Sequence, residues 1–411
     1  RGRGNKRRVP LVSGWDGFES DGSLTMVQQA TTTTRTRLHD LQDLGQSVWY
    51  DNISRGVLQS GRFRDLVAAG ISGVTSNPTI FEKAITGTSD YDAALRAAPD
   101  RTPAEIFEVI ATDDVRAAAD DLRAVYDRTD GRDGYVSIEV SPGLAHDTEG
   151  SVAEARRLWQ TVDRPNLMVK VPGTPEGMPA VTQLIAEGIN VNITLIFALS
   201  AHEQVMEAYL AGLERRAASG APLSSMASVA SFFVSRVDTA VDRKLDAAMS
   251  AAPDEASLRR LSSLRGMAAT ANAVQAYALF REVFSSDRFQ KLAARGARVQ
   301  RPLWASTGAK DPAYSDIYYV ESLAGADTVN TMPPATIDAF MDHGRIASRL
   351  ADRDWANGMF AALPTVGIDL NRVTADLLDE GLVAFSKSFD AVLDAVAKKR
   401  SAVHAGGPVG Q

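Results

Sequence analysis

The stretch NLMVKVPGTPEGMPAVTQLIAEGINVNITLIF, residues 166–197, carries a short apolar run (Leu167–Val171), a segment of helical period (Pro175–Glu187) and a second apolar run (Ile189–Phe197). Continuous apolar runs of this length are what strands buried on both faces look like, and strand, helix, strand in that order builds a parallel sheet. One residue breaks the pattern. Lys170 places an ammonium group inside the first run, just before a Pro172-Gly173-Thr174 turn, and of the nine lysines it is the one so placed. Burial disfavours the charged form of a lysine, and the neutral amine is a nucleophile that forms Schiff bases with carbonyl compounds. At the reference pKa of about 10.4, only roughly one amine in a few thousand is neutral at pH 7. On this segment alone, a lysine whose stem packs inside while its head reaches water at the strand end fits equally well.

The same unit recurs on both sides. Strands are expected at Ser47–Asp51, Ile71–Thr75, Tyr135–Val140, Leu167–Val171, Ile189–Phe197, Ser228–Val234, Pro302–Ser306 and Thr328–Thr331. Helices are expected at Gly61–Ala69, Pro103–Tyr126, Ser151–Val162, Pro175–Glu187 and Ala201–Ala218, and in long stretches between Val237 and Arg295. Eight β-α units predict a closed (β/α)8 TIM barrel over residues 36–400, with extra C-terminal helices at Pro333–Leu350 and Val373–Arg400. An open doubly wound sheet would carry a G-x-G-x-x-G turn after its first strand, and none is present. The basic cluster Arg1, Arg3, Lys6, Arg7, Arg8 gives way to Asp16, Glu19 and Asp21 without apolar period, so residues 1–35 are expected to be a disordered leader. The Gly-rich residues 401–411 are expected to be a flexible tail.

Hydrophobic residues make up 45% and charged residues 23%, the balance of a globular protein. A net charge of −7 argues against a nucleic-acid binder, which needs a basic face, and no apolar run is long enough to span a bilayer. Zero cysteines remove disulfides, thiol nucleophiles and zinc-thiolate sites, and a cytoplasmic location is the default expectation. The five histidines (His39, His146, His202, His343 and His404) show no ligand spacing, so no metal is expected. Gly308-Ala309-Lys310-Asp311 has a lysine but not the spacing of a phosphate-binding P-loop.

Catalytic side chains in a barrel come from the carboxyl ends of several strands. Here polar residues stand on or at the ends of the apolar runs: Asp51, Thr75 and Asn77, Glu139, Lys170, Asn192 and Thr194, and Ser231. Singly, each fits a cap or a structural hydrogen-bonder. Together, two carboxylates and a lysine at one mouth are the minimum set for carbinolamine chemistry, an amine to attack and acids or bases to move protons.

Gly73-Val74-Thr75-Ser76-Asn77-Pro78-Thr79-Ile80-Phe81 resembles the first signature of the transaldolase family, and residues 167–178 resemble its Schiff-base signature. The resemblance continues through residues 188–197 and Ser231-Phe232-Phe233-Val234-Ser235-Arg236, covers about Asp51 to Thr331, and looks most like the longer bacterial subgroup. It implies transfer of a dihydroxyacetone unit from a ketose phosphate to an aldose phosphate in the non-oxidative pentose phosphate pathway. No metal or organic cofactor is implied, and the partners are sugar phosphates, met by a monomer or homodimer. Carried over, Lys170 forms the Schiff base, Glu139 moves protons through a water that Thr194 helps place, and Asp51 handles the substrate hydroxyl proton. Thr75, Asn77 and Asn192 match the substrate-binding face, with the two asparagines on the dihydroxyacetone hydroxyls, while Ser231 and Arg236 match the phosphate site. This chain departs in two places. Gly73 stands where an acidic residue is common. Ser306 is followed by Thr307-Gly308-Ala309-Lys310 instead of the Ser-x-Arg arrangement, which leaves Lys310 as either a second phosphate cation or a solvated loop lysine. The competing expectations are an aldolase of the same superfamily acting on fructose 6-phosphate, and a non-catalytic barrel scaffold.

Overall fold

A computed structural model describes residues 35–98 and 100–405. The expected leader falls, apart from Arg35, outside the described residues, as do residues 406–411 of the expected tail. Eight parallel strands close into a barrel in sequence order, β1 pairing with both β2 and β8. They are β1 (Gln46–Tyr50), β2 (Gly73–Thr75), β3 (Tyr135–Glu139), β4 (Leu167–Pro172), β5 (Val191–Ile196), β6 (Ser228–Phe233), β7 (Arg301–Ala305) and β8 (Thr328–Met332). Nearly every strand residue is buried because each strand is covered by helices outside and by the barrel filling inside. Alternation sends one set of side chains to each side. Val169, Val171, Ile193 and Trp304 join the large outer core under the helices, whereas Trp49, Tyr135, Met168, Val229, Leu303 and Val329 pack together inside the barrel.

That inner packing explains the glycine at the start of β2. A Cβ at Gly73 would lie 2.5 Å from the Trp49 indole, so the tryptophan occupies the space that an acidic side chain would need. The indole Nε1 donates to Asp133 at 2.8 Å and is itself satisfied.

The structure differs from the expected elements in several places. The helix expected at Pro103–Tyr126 is two, Pro103–Asp121 and Arg123–Arg128. The first opens on a Thr102–Glu105 capping box with Pro103 in its first turn. The helix expected to reach Leu350 stops at His343, because Gly344 turns into extended backbone and the chain then bonds back along residues 321–322 through Ala347 and Arg349. A further helix, Arg353–Ala362, was not expected. The last helix runs from Leu370 to Ala405, so residues 401–405 are helical. It packs over the carboxyl ends of the strands, against helix Pro78–Gly87 and against β5. Gly381 allows that approach, since a Cβ there would sit 3.3 Å from Leu195. Lys399 fastens the far end to the carbonyls of Ile85 (2.6 Å) and Thr88.

Candidate active site

At the carboxyl ends of the strands a cavity of about 370 Å3 is lined by residues from all eight strands or the loops that follow them. Its floor is Lys170. The β4 alternation that points Met168 into the barrel points Lys170 the same way, and the register sets Glu139 of β3 directly beside it. The ammonium nitrogen donates to the Ser76 carbonyl at 3.1 Å and pairs with Glu139 Oε1. Only 9% of the Lys170 side chain and 11% of the Glu139 side chain is exposed. Glu139 Oε2 is buried without a hydrogen-bond partner, so this carboxylate is only half satisfied. Burial pushes the Glu139 carboxyl above its usual range, an effect that Lys170 opposes and Asp51 reinforces.

Asp51 follows β1, its N–H held by the Met332 carbonyl at 2.9 Å. Its Oδ1 accepts from Thr75 Oγ1 at 2.8 Å. Burial raises its pKa too, against the Thr75 hydrogen bond and the charges of Lys170 and Lys310. Burial thus raises two carboxylates beside one buried lysine, which pairs with Glu139 and acts on Asp51 through its charge.

Thr194 lines the cavity from β5, just before an irregularity in the strand at which Leu195 adopts φ 60°. Asn77 caps helix Pro78–Gly87, its Oδ1 accepting from Ile80 N at 3.0 Å, and still lines the cavity. Asn192 does not. It is fully buried beneath the floor, donating to Ser137 Oγ at 3.0 Å and accepting from Ser231 Oγ at 2.7 Å. Its amide holds Ser231, which does reach the cavity wall.

The other end of the cavity is cationic. Arg236 lies in the first turn of helix Ser235–Ser250, its guanidinium carbon 5.5 Å from the Phe233 ring centroid. Among the described residues no carboxylate lies within ion-pairing distance of it, and burial lowers its pKa. Asp238, a tempting partner, is occupied elsewhere, accepting from Ala269 N (2.7 Å) and the Tyr319 hydroxyl (2.9 Å). Ser306 adopts φ 58°, and its hydroxyl meets that of Ser235 at 2.9 Å. Lys310 is exposed at the rim. Ten of the eleven expected site residues thus share one cavity, Asn192 being the exception.

Other wall residues were not anticipated. Thr331 closes the β8 side, and Gly381, Ala384, Phe385 and Ser388 of the last helix form the roof. The roof residues repeat at i, i+3, i+4 and i+7, the signature of one helical face. Their placement over the mouth is tertiary, and Thr79 reaches Ser388 at 3.0 Å across 309 residues. No group of three His, Cys, Asp or Glu among the described residues is placed to hold a metal ion.

Residues 48–396 match the transaldolase/fructose-6-phosphate aldolase family. The chain is 51% identical over 370 residues to a transaldolase of Thermobifida fusca, covering 89% of this chain and 98% of that protein. It is 49% identical over 369 residues to a transaldolase of Saccharopolyspora erythraea, with the same coverage, 89% and 98%. A transaldolase 1 of Streptomyces coelicolor is 47% identical over 372 residues, covering 89% and 96%.

Proposed function

Because the chain belongs to the transaldolase/fructose-6-phosphate aldolase family and is a transferase of its transaldolase branch, we propose that it moves a dihydroxyacetone unit between sugar phosphates through a Schiff base on Lys170. The observation that carries this reading is the Lys170–Glu139 pair at the floor of a cavity that also holds Asp51.

The chemistry follows from the proton inventory. Glu139 takes a proton from the ammonium, and its burial-raised pKa makes that transfer less uphill. The freed amine attacks the ketose C2 carbonyl. Glu139 protonates the resulting alkoxide, then takes a proton from the carbinolamine nitrogen and delivers it to the hydroxyl, which leaves as water as the iminium forms. Asp51 removes the C4 hydroxyl proton as the C3–C4 bond breaks, and the bonding pair passes into the iminium to give an enamine. The aldose leaves with C4 as its aldehyde. With an acceptor aldose the steps reverse: C3 attacks the aldehyde carbon, Asp51 returns its proton to the new hydroxyl, and water frees the product. Thr194 orients the water and Asn77 holds hydroxyls of the three-carbon unit; Ser231, expected at the phosphate, is assigned to that unit instead because it bonds Asn192, the register neighbour of Lys170.

Arg236, Ser306 and Lys310 give the far end the chemistry of a phosphate site, with the N-terminus of helix Ser235–Ser250 adding its dipole. In this reading Lys310 supplies charge at the rim and Arg236 the directed hydrogen bonds. Phe233, stacked between Phe197 and Arg236, presents an apolar ring to the cavity. It favours transfer over hydrolytic release because it keeps water from the enamine until an acceptor arrives. No helix among the described residues is long and apolar enough to cross a membrane, and the proposed location is the cytoplasm.

The discriminating assay measures product from fructose 6-phosphate with and without erythrose 4-phosphate. Without acceptor a transferase releases at most one glyceraldehyde 3-phosphate per active site and then stops, and it turns over steadily only when erythrose 4-phosphate is present. Steady release of free dihydroxyacetone without it would identify an aldolase, and no turnover would identify a scaffold.

A further inference from the structure

Asp51 does not stand alone against the substrate. β1 lies between β2 and β8, and Thr75 from β2 and Thr331 from β8 meet hydroxyl to hydroxyl at 2.5 Å. Both are 3% exposed. Thr75 also lies 2.8 Å from Asp51 Oδ1. A hydroxyl has one proton to give. Among the described residues, the Thr331 hydroxyl has no hydrogen-bond partner other than Thr75, so its proton points there. Thr75, having accepted, gives its own proton to Asp51.

We propose that Thr331 is a positioning residue: by donating to Thr75 it commits the Thr75 proton to Asp51 Oδ1 and leaves Oδ2 as the oxygen that takes and returns the substrate proton. The inference rests on the role given above to Asp51 as the base of carbon–carbon cleavage. The Thr331 backbone is fixed, since its carbonyl accepts from Thr307 Oγ1 at 3.0 Å. The charged groups acting on Asp51 are Lys170 from β4, Lys310 from the loop after β7 and, from β3, Glu139. Thr331 touches none of these by hydrogen bond, and its effect is therefore confined to the Asp51 branch. The Thr75 hydrogen bond favours the ionised carboxylate. Weakening it moves the loss of base activity to higher pH.

The test uses Thr331→Val, which keeps the branched shape and removes the hydroxyl, with Thr331→Ser as the rescue. The acid limb of kcat for transfer from fructose 6-phosphate to erythrose 4-phosphate should move up by about half to one pH unit in the valine variant, the scale of one neutral hydrogen bond. KM should change little, and the serine variant should restore the wild-type limb. Borohydride trapping of free dihydroxyacetone on Lys170, which needs no carbon–carbon cleavage, should proceed at the wild-type rate in both variants. An unmoved acid limb would overturn the proposal. Loss of trapping together with transfer would also overturn it, because Thr331 would then support the whole floor. Wild-type protein that neither transfers nor traps would instead overturn the reading of Asp51 and Lys170, and this inference with it.

Discussion

The barrel has a buried cation at each end, and the two ends behave oppositely. At the amino-terminal pole Arg301, 6% exposed, donates to Ser47 Oγ at 2.5 Å and to the Arg132 carbonyl at 2.9 Å. It lies 3.7 Å from Asp133, whose Oδ1 accepts from Trp49 Nε1 and from Gly134 N. Fixed donors and acceptors surround both charges. At the carboxyl mouth, Lys170 pairs with Glu139, one oxygen of Glu139 has no partner, and burial raises both Glu139 and nearby Asp51. The pole also opens on a cavity of about 390 Å3, close to the size of the mouth's, so volume does not separate them. What separates them is satisfaction: neither Arg301 nor Asp133 leaves a buried polar atom without a partner, whereas Glu139 does, and an under-bonded buried acid is available to a substrate. This is the division of labour expected between the two faces of a barrel.

Substitutions at the two ends should therefore fail in different currencies. Lys170→Met should abolish transfer, by about four orders of magnitude or more in kcat/KM, while the urea midpoint changes little because Glu139 can take up a proton when its partner is gone. Arg301→Met should do the reverse. It leaves Asp133 buried without its cation and should cost about 3–5 kcal/mol in urea unfolding, with kcat of the folded fraction retained. A large kcat loss from Arg301→Met without destabilisation would break the comparison.

Arg236→Ala should cost about one to two orders of magnitude in kcat/KM on phosphorylated substrates and far less on an unphosphorylated ketose. Equal losses on both would make Arg236 a fold-supporting residue. The smallest effect belongs to an intermediate case, Asp238, which has fixed donors like Asp133 but no cation. Burial, reinforced by Asp242, pushes its carboxyl up to about 7. The folded state then holds a proton that the unfolded chain releases near pH 4, so this group's stabilisation is present below about pH 4, declines as pH rises to about 7 and is absent above. Asp238→Asn should shrink the difference in unfolding free energy between pH 5 and pH 8 by about 1–3 kcal/mol. An unchanged difference would show that Asp238 ionises freely in the folded protein.

The barrel was legible because strands buried on both faces leave continuous apolar runs, and the polar interruptions in those runs marked the mouth. Lys170, Glu139 and Asp51 stood out for that reason. Less legible were features set by packing between distant segments. Nothing local to residues 381–388 says that this helical face roofs the cavity, and nothing near Gly73 says that Trp49 fills the space above it. Asn192 and Thr194 lie in unbroken register on the same side of β5, but Asn192 sits one step deeper in the barrel, where Ser137 and Ser231 occupy its amide, and that depth is set by packing rather than by the local pattern. The helix expected at Pro333–Leu350 ends early: its apolar pattern continues past Gly344, but the backbone turns away there.

The central claim is that the buried lysine beside the half-satisfied Glu139 is the covalent nucleophile, and borohydride reduction in the presence of fructose 6-phosphate tests it most directly. Peptide mapping should find a single reduced three-carbon adduct, on the peptide containing Lys170, and the adduct should vanish in Lys170→Met while the fold persists. An adduct on any other lysine, or full transfer activity with no adduct, would contradict the account.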